Sequence, residues 1–216
     1  MSGSPYSDWA LPVTSLKQTL DIAQSVGCSS KTGVKNINLK ALTKCLRTVN
    51  VKDLMAVTLD SDGRELHFGP IADGVIISRQ YLEDADHVRH KLSQHKIIFG
   101  VTSDESVNMF SEDKLESGFT EEFRDSQIWT FVKSKYKYHQ REIFASIISE
   151  YTDWDKPHYH PINVRDATID AFTDARYVAP ILQLARFIPP GKTGYYFYVF
   201  DYMPRGRVPQ VSIHLD

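Results

Sequence analysis

The side chains that could do chemistry sit in a few short stretches. Asp153, Asp155, His158 and His160 are four potential metal ligands close together. Pro157 and Pro161 interrupt them and no zinc spacing is matched, so no metal site is expected. His87 and His90 stand three apart among charged residues, as on a solvated helix face. Asp60-Ser61-Asp62-Gly63 has the start of a calcium loop but not its later ligands, and reads as a turn. Cys28 and Cys45 flank a polar segment. They are either two buried thiols, the expectation for a cytosolic protein, or one disulfide that would contribute about 3 kcal/mol by closing the loop. Thr102-Ser103-Asp104-Glu105 follows an apolar run. A polar tip at the C-terminal end of a strand is where α/β folds place working residues.

The elements that must position these residues are legible from periodicity. Thr14–Val26 has apolar residues at helical spacing and is stopped by Gly27, and Leu39–Leu46 repeats the pattern. Lys96–Val101 (KIIFGV) is a short apolar run, expected to be a strand buried on both faces of a parallel sheet. A helix starting near Thr120, with Glu121 and Glu122 in its first turn, would bury Phe123, Ile128 and Phe131. The next would bury Ile143, Ile147 and Tyr151. Asp166–Arg186 is a third helical stretch, kinked at Pro180. Tyr195–Tyr202 (YYFYVFDY) is expected to be a second buried strand, followed by an irregular tail from Pro204. Strands separated by long helical stretches indicate an α/β fold.

Bulk properties exclude several classes. The 216 residues are 42% hydrophobic and 24% charged, with a formal net charge of −2. That balance gives no electrostatic case for nucleic acid or an anionic membrane surface. No apolar run approaches the roughly 18 residues of a membrane span. The opening MSGSPYSDWALPV lacks the basic and apolar regions of a secretory signal and reads as the middle of a fold. No N-x-S/T acceptor is present.

Several stretches together resemble the cholinesterase-like, or type-B carboxylesterase, family. Ser2-Gly3-Ser4 with Trp9-Ala10 is similar to the SG-S/T segment that follows the family's nucleophile elbow. Val26-Gly27-Cys28 and Cys45-Leu46-Arg47 resemble its VGC…CLR pair, and Phe68-Gly69-Pro70 with Asp73-Gly74 its FGPxxDG. Gly100-Val101 leading to Asp104-Glu105 resembles GVxxDEG, with Ser106 where the family usually has glycine. Tyr151-Thr152-Asp153-Trp154 and Asn163…Arg165-Asp166 resemble YTDW…NxRD. Phe172-Thr173-Asp174 with Val178-Ala179-Pro180 is most similar to the neuroligin-type FTD…VAP. The landmarks run in family order over nearly the whole chain.

The resemblance implies the C-terminal portion of an α/β-hydrolase fold, a mostly parallel sheet flanked by helices and incomplete here, with residues 1–216 a partial domain. It implies a disulfide between Cys28 and Cys45 and places Glu105 at the triad-acid position. His214 corresponds to the triad base, but its Pro209–His214 context is two residues short of the family's and Leu215 replaces a glycine. A solvated histidine near the last residue is the alternative. No G-x-S-x-G occurs anywhere in the chain, so no functional catalytic residue and no cofactor are expected. The preferred reading is a non-catalytic domain fragment of the neuroligin or gliotactin kind, from an extracellular or cell-surface protein. Its expected partner is another cell-surface protein, with a homodimer of the parent also considered. The rival is the C-terminal fragment of an active carboxylesterase or cholinesterase, and a free-standing domain of new function ranks last.

Overall fold

The computed structural model describes residues 3–7, 9–10, 15–28, 38–57, 70–78 and 84–202. The chain divides into two compact units, one of Leu11–Ile71 and one of Met1–Ala10 with Ala72–Asp216.

In the smaller unit, α1 (Ser15–Ser25) ends as the sequence predicts. Gly27 takes φ +75°, a left-handed turn that costs glycine no Cβ clash. The Cys28 amide then donates to the Ala23 carbonyl at 2.7 Å and the Gly27 amide to Gln24 at 3.1 Å, satisfying carbonyls the helix leaves open. This sharp stop delivers Cys28 to Cys45 of α2 (Leu39–Leu46), and the two form a disulfide. Asn38 starts α2 by accepting from the Ala41 amide, and Asn50 starts α3 (Val51–Met55) by accepting from Lys52. The Asp60–Gly63 turn lies outside the described residues.

The larger unit has an α/β arrangement. After α4 (Ala85–Ser93) comes β1 (Ile97–Thr102), which pairs in parallel with β2 (Tyr195–Phe200), Ile97 opposite Tyr195. Between the strands run α5 (Glu112–Ser117), α6 (Glu121–Lys135), α7 (Gln140–Tyr151), α8 (Pro161–Thr173) and α9 (Ala179–Ala185). Thr120 starts α6 by accepting from the Phe123 amide at 3.2 Å. Phe99 and Val101 of β1 pack on Ile181 of α9. A second cluster joins Val107, Leu115, Phe119, Val164 and Ile169, and a third joins Ile128, Val132 and Phe172. Gly100 lies where β1 meets Tyr198 of β2 so closely that any Cβ would collide with the Tyr198 carbonyl.

Both strands depart from the expectation of full burial. In β1 Phe99, Gly100 and Val101 are buried, but Ile98 is 62% exposed. In β2 Tyr196 is 64% exposed, and Phe197 through Phe200 are exposed as well. An apolar strand is buried only when elements cover each face, and among the described elements the helices pack against one face of the pair.

The kink expected at Pro180 is a π-helical turn, Asp174–Val178, inserted between α8 and α9. Proline has no amide to donate to the carbonyl four residues back, and its ring crowds that oxygen. The widened turn accommodates it, with the Ala179 amide reaching Asp174.

Candidate functional site

The polar tip of β1 is where the sequence places its triad-acid residue. The Ser103 amide still bonds the Phe200 carbonyl at 3.3 Å, and the chain then turns at Asp104 into a 3-10 turn, Glu105–Met109. The turn folds the Glu105 carboxylate back onto its own strand, where Oε1 accepts from the Thr102 amide at 2.8 Å. Ser106 is fully buried, and its amide donates to Thr173 Oγ1 at the end of α8, 3.2 Å away. The Ser106 and Thr102 hydroxyls have no hydrogen-bond partner among the described residues. The tip is thus pinned to α8 by an amide-to-side-chain bond, with Val107 sunk into the core beside it.

Along α8 and its π continuation, Asp166, Asp170 and Asp174 recur at one-turn spacing. Asp170 is pushed up to about 6, by desolvation first and then by the like charges of Asp104, Asp166 and Asp174, with Lys156 opposing. The Tyr151 hydroxyl donates to Asp174 Oδ2 at 2.8 Å. Burial, then this bond and the surrounding carboxylates, hold that phenol well above its ordinary value. The acidic row was not singled out from the sequence. The Asp–Asp spacing was readable, but the contribution of Asp104 depends on the tertiary fold.

The other candidates are accounted for separately. Asp153 forms an ion pair with Lys156 at 2.9 Å and accepts from the Asp155 amide. His158 lies against the rings of Trp154 and Tyr159, and His160 accepts from the Ile162 amide to start α8. Among the described residues no group of three or more His, Cys, Asp or Glu side chains could hold a metal ion. His87 and His90 lie on α4, where Asp84 accepts from the His87 amide. Asp73 accepts from the amides of Val75, Ile76 and Ile77, which hold its carboxyl below the usual range. His214 lies outside the described residues. No helix among the described residues is long and apolar enough to cross a membrane.

Ser4 of the SG-S/T segment and Ser7, which the sequence reading did not single out, fix the N-terminal segment to the π turn and α9. Ser4 Oγ donates to the Pro180 carbonyl at 2.8 Å and Ser7 Oγ to the Arg176 carbonyl at 3.1 Å. Tyr6 stacks on Phe187, and Trp9 lies on Tyr177. Their signal was the density of small and aromatic residues in SGSPYSDWA, which carries no partner information by itself.

The geometry therefore ties the motif residues to one another: Ser106 to Thr173, Tyr151 to Asp174, and Ser4 to Pro180. Comparison with known proteins points to one family. The chain is 28% identical to neuroligin-1 of Caenorhabditis elegans over 86% of its own length and 24% of the relative's. It is 25% identical to neuroligin-2 of Rattus norvegicus and 27% identical to neuroligin-3 of Homo sapiens, each over 92% of this chain and 23% of the relative. The chain thus spans about a quarter of the length of the curated relatives it matches. A model described as the carboxylesterase family matches residues 1–213, and the chain belongs to that family.

Proposed function

We propose that this chain is a non-catalytic, cholinesterase-like region of a neuroligin-type cell-surface protein and contributes to adhesion rather than to ester hydrolysis. In this reading residues 1–216 are part of a type-B carboxylesterase domain and supply the C-terminal portion of its α/β-hydrolase sheet. The observation that carries the proposal is the state of the triad-acid position. Glu105 bonds the last amide of its own strand, beside a buried Ser106 and in a chain without G-x-S-x-G. A triad acid works by orienting a histidine that serves a nucleophile, and these 216 residues hold no G-x-S-x-G for it to serve. The similarity to neuroligins supports the same reading. The partner is another cell-surface protein, met outside the cell, where the Cys28–Cys45 disulfide is at home.

The rival reading, a fragment of an active carboxylesterase, draws on the Asp104-Glu105 pair kept at the strand end. The test is to present the protein, made through a secretory route, on beads and measure binding to intact cells. Binding abolished by trypsin treatment of the cells supports adhesion. No cell binding, together with a G-x-S-x-G serine encoded in the transcript upstream of Met1, supports the rival.

A further inference from the structure

The helices of the larger unit form a half-open cavity of about 360 Å³ that the strand-end site does not use. Its walls are Phe131 of α6, Ile147 of α7, Phe172 of α8 and Leu182 of α9, and at its edge stand Tyr151 and Asp174. A space of this size with apolar walls and a few polar groups is typical of small-molecule sites. The polar groups here have one sign. The Tyr151 hydroxyl donates to Asp174 Oδ2 at 2.8 Å, so the phenol's proton is used inside the protein and the carboxylate is the group left to meet a ligand. Asp170 stands one turn away, raised to about 6 by desolvation first and then by Asp104, Asp166 and Asp174, so the rim lies in a negative local field.

We propose that this cavity binds a hydrophobic amine, with the protonated ammonium on Asp174 and the apolar body against Phe131 and Phe172. The chemistry sets the class. An anionic ligand would meet the Asp174–Asp170 row as like charge, and a neutral one would gain the walls but nothing from the rim. A monoammonium with a chain of moderate length fills the apolar volume and complements the edge. The inference concerns the helical half of the unit and does not depend on the adhesion reading.

A matched series of n-octylamine, 1-octanol and octanoate, titrated into the full chain at pH 7.4 by ligand-observed NMR, tests it. Octylamine should bind about fivefold tighter than octanol, the scale of one partly exposed ion pair, with octanoate weakest. Asp174→Asn keeps an acceptor for Tyr151 but removes the charge, and should bring octylamine level with octanol. Ala175→Phe, which fills the cavity from its wall, should lose octylamine and octanol together. Octylamine binding no tighter than octanol, unchanged in Asp174→Asn, or absent at millimolar concentration overturns the proposal. The aspartate variant alters an exposed side chain and decides the matter even if the phenylalanine variant fails to fold.

Discussion

Ser7 donates its hydroxyl to the Arg176 carbonyl at 3.1 Å, the oxygen that the amide of residue 180 would use if that residue were not proline. The N-terminal segment thereby repairs a break in a helix that follows it at long range in the chain. A buried carbonyl stripped of its partner costs about 1–3 kcal/mol. Ser7→Ala is therefore expected to lower stability by about 1–2 kcal/mol, read as a shifted urea midpoint with an unchanged slope. Ser4→Ala, which loosens the same segment from the Pro180 carbonyl, should act in the same direction.

That relationship marks the limit of what the sequence shows. Helix ends were legible where their cause is local, as with Gly27 after α1 and Thr120 before α6. The effect of Pro180 was legible only as a kink, because the π turn and the serine that serves it depend on residues far apart in the chain. The strands were legible as strands, but their burial was not. Composition identifies β-formers such as Tyr196 and Val199 and says nothing about which element covers each face. Glu105 could be placed at a strand end from its context, whereas its bond to Thr102 follows from how the next turn folds.

Ser106 in the turn after β1 and Thr173 at the end of α8 carry hydroxyls with opposite expected effects. Thr173→Val removes the acceptor of the buried Ser106 amide and should cost about 1–2 kcal/mol. Ser106→Ala removes a buried hydroxyl that has no partner among the described residues and should be neutral or stabilising. Equilibrium urea unfolding of the two variants checks the contrast. Equal losses in both would show that the hydroxyl of Ser106 is bonded after all.

Asp170 gives the fold a pH signature. Its folded value, about 6, lies above the ordinary carboxyl value of 3.8, so the folded state takes up a proton before the unfolded state does. Its contribution to stability therefore falls as pH rises from about 4 through 6. Asp170→Asn should leave stability unchanged near pH 4 and raise it at pH 7.5 by about 1 kcal/mol, after allowance for solvent screening of an accessible side chain. Urea unfolding of both proteins across that range checks the sign. A variant less stable at pH 7.5 would contradict it.

The disulfide between Cys28 and Cys45 closes a loop with a sequence separation of 17. The chain-entropy account assigns such a crosslink about 3 kcal/mol. Cys45→Ser, or reductant on the parent protein, should destabilise the Leu11–Ile71 unit by that order. Hydrogen exchange followed by peptide should show faster exchange in α1 and α2, with α6–α8 much less affected.

The central claim is that the chain does not carry out ester hydrolysis, and covalent labelling with a fluorophosphonate probe tests it most directly. Such probes react at serines activated by a base and an oxyanion site. The family resemblance puts Glu105 at the acid position, and these 216 residues hold no G-x-S-x-G. Intact-mass spectrometry of the full chain after exposure to the probe should show the unmodified mass alone, with no hydrolysis of short acyl esters above buffer. Stoichiometric addition of one phosphonyl group at any serine, accompanied by loss of esterase turnover, would contradict the account.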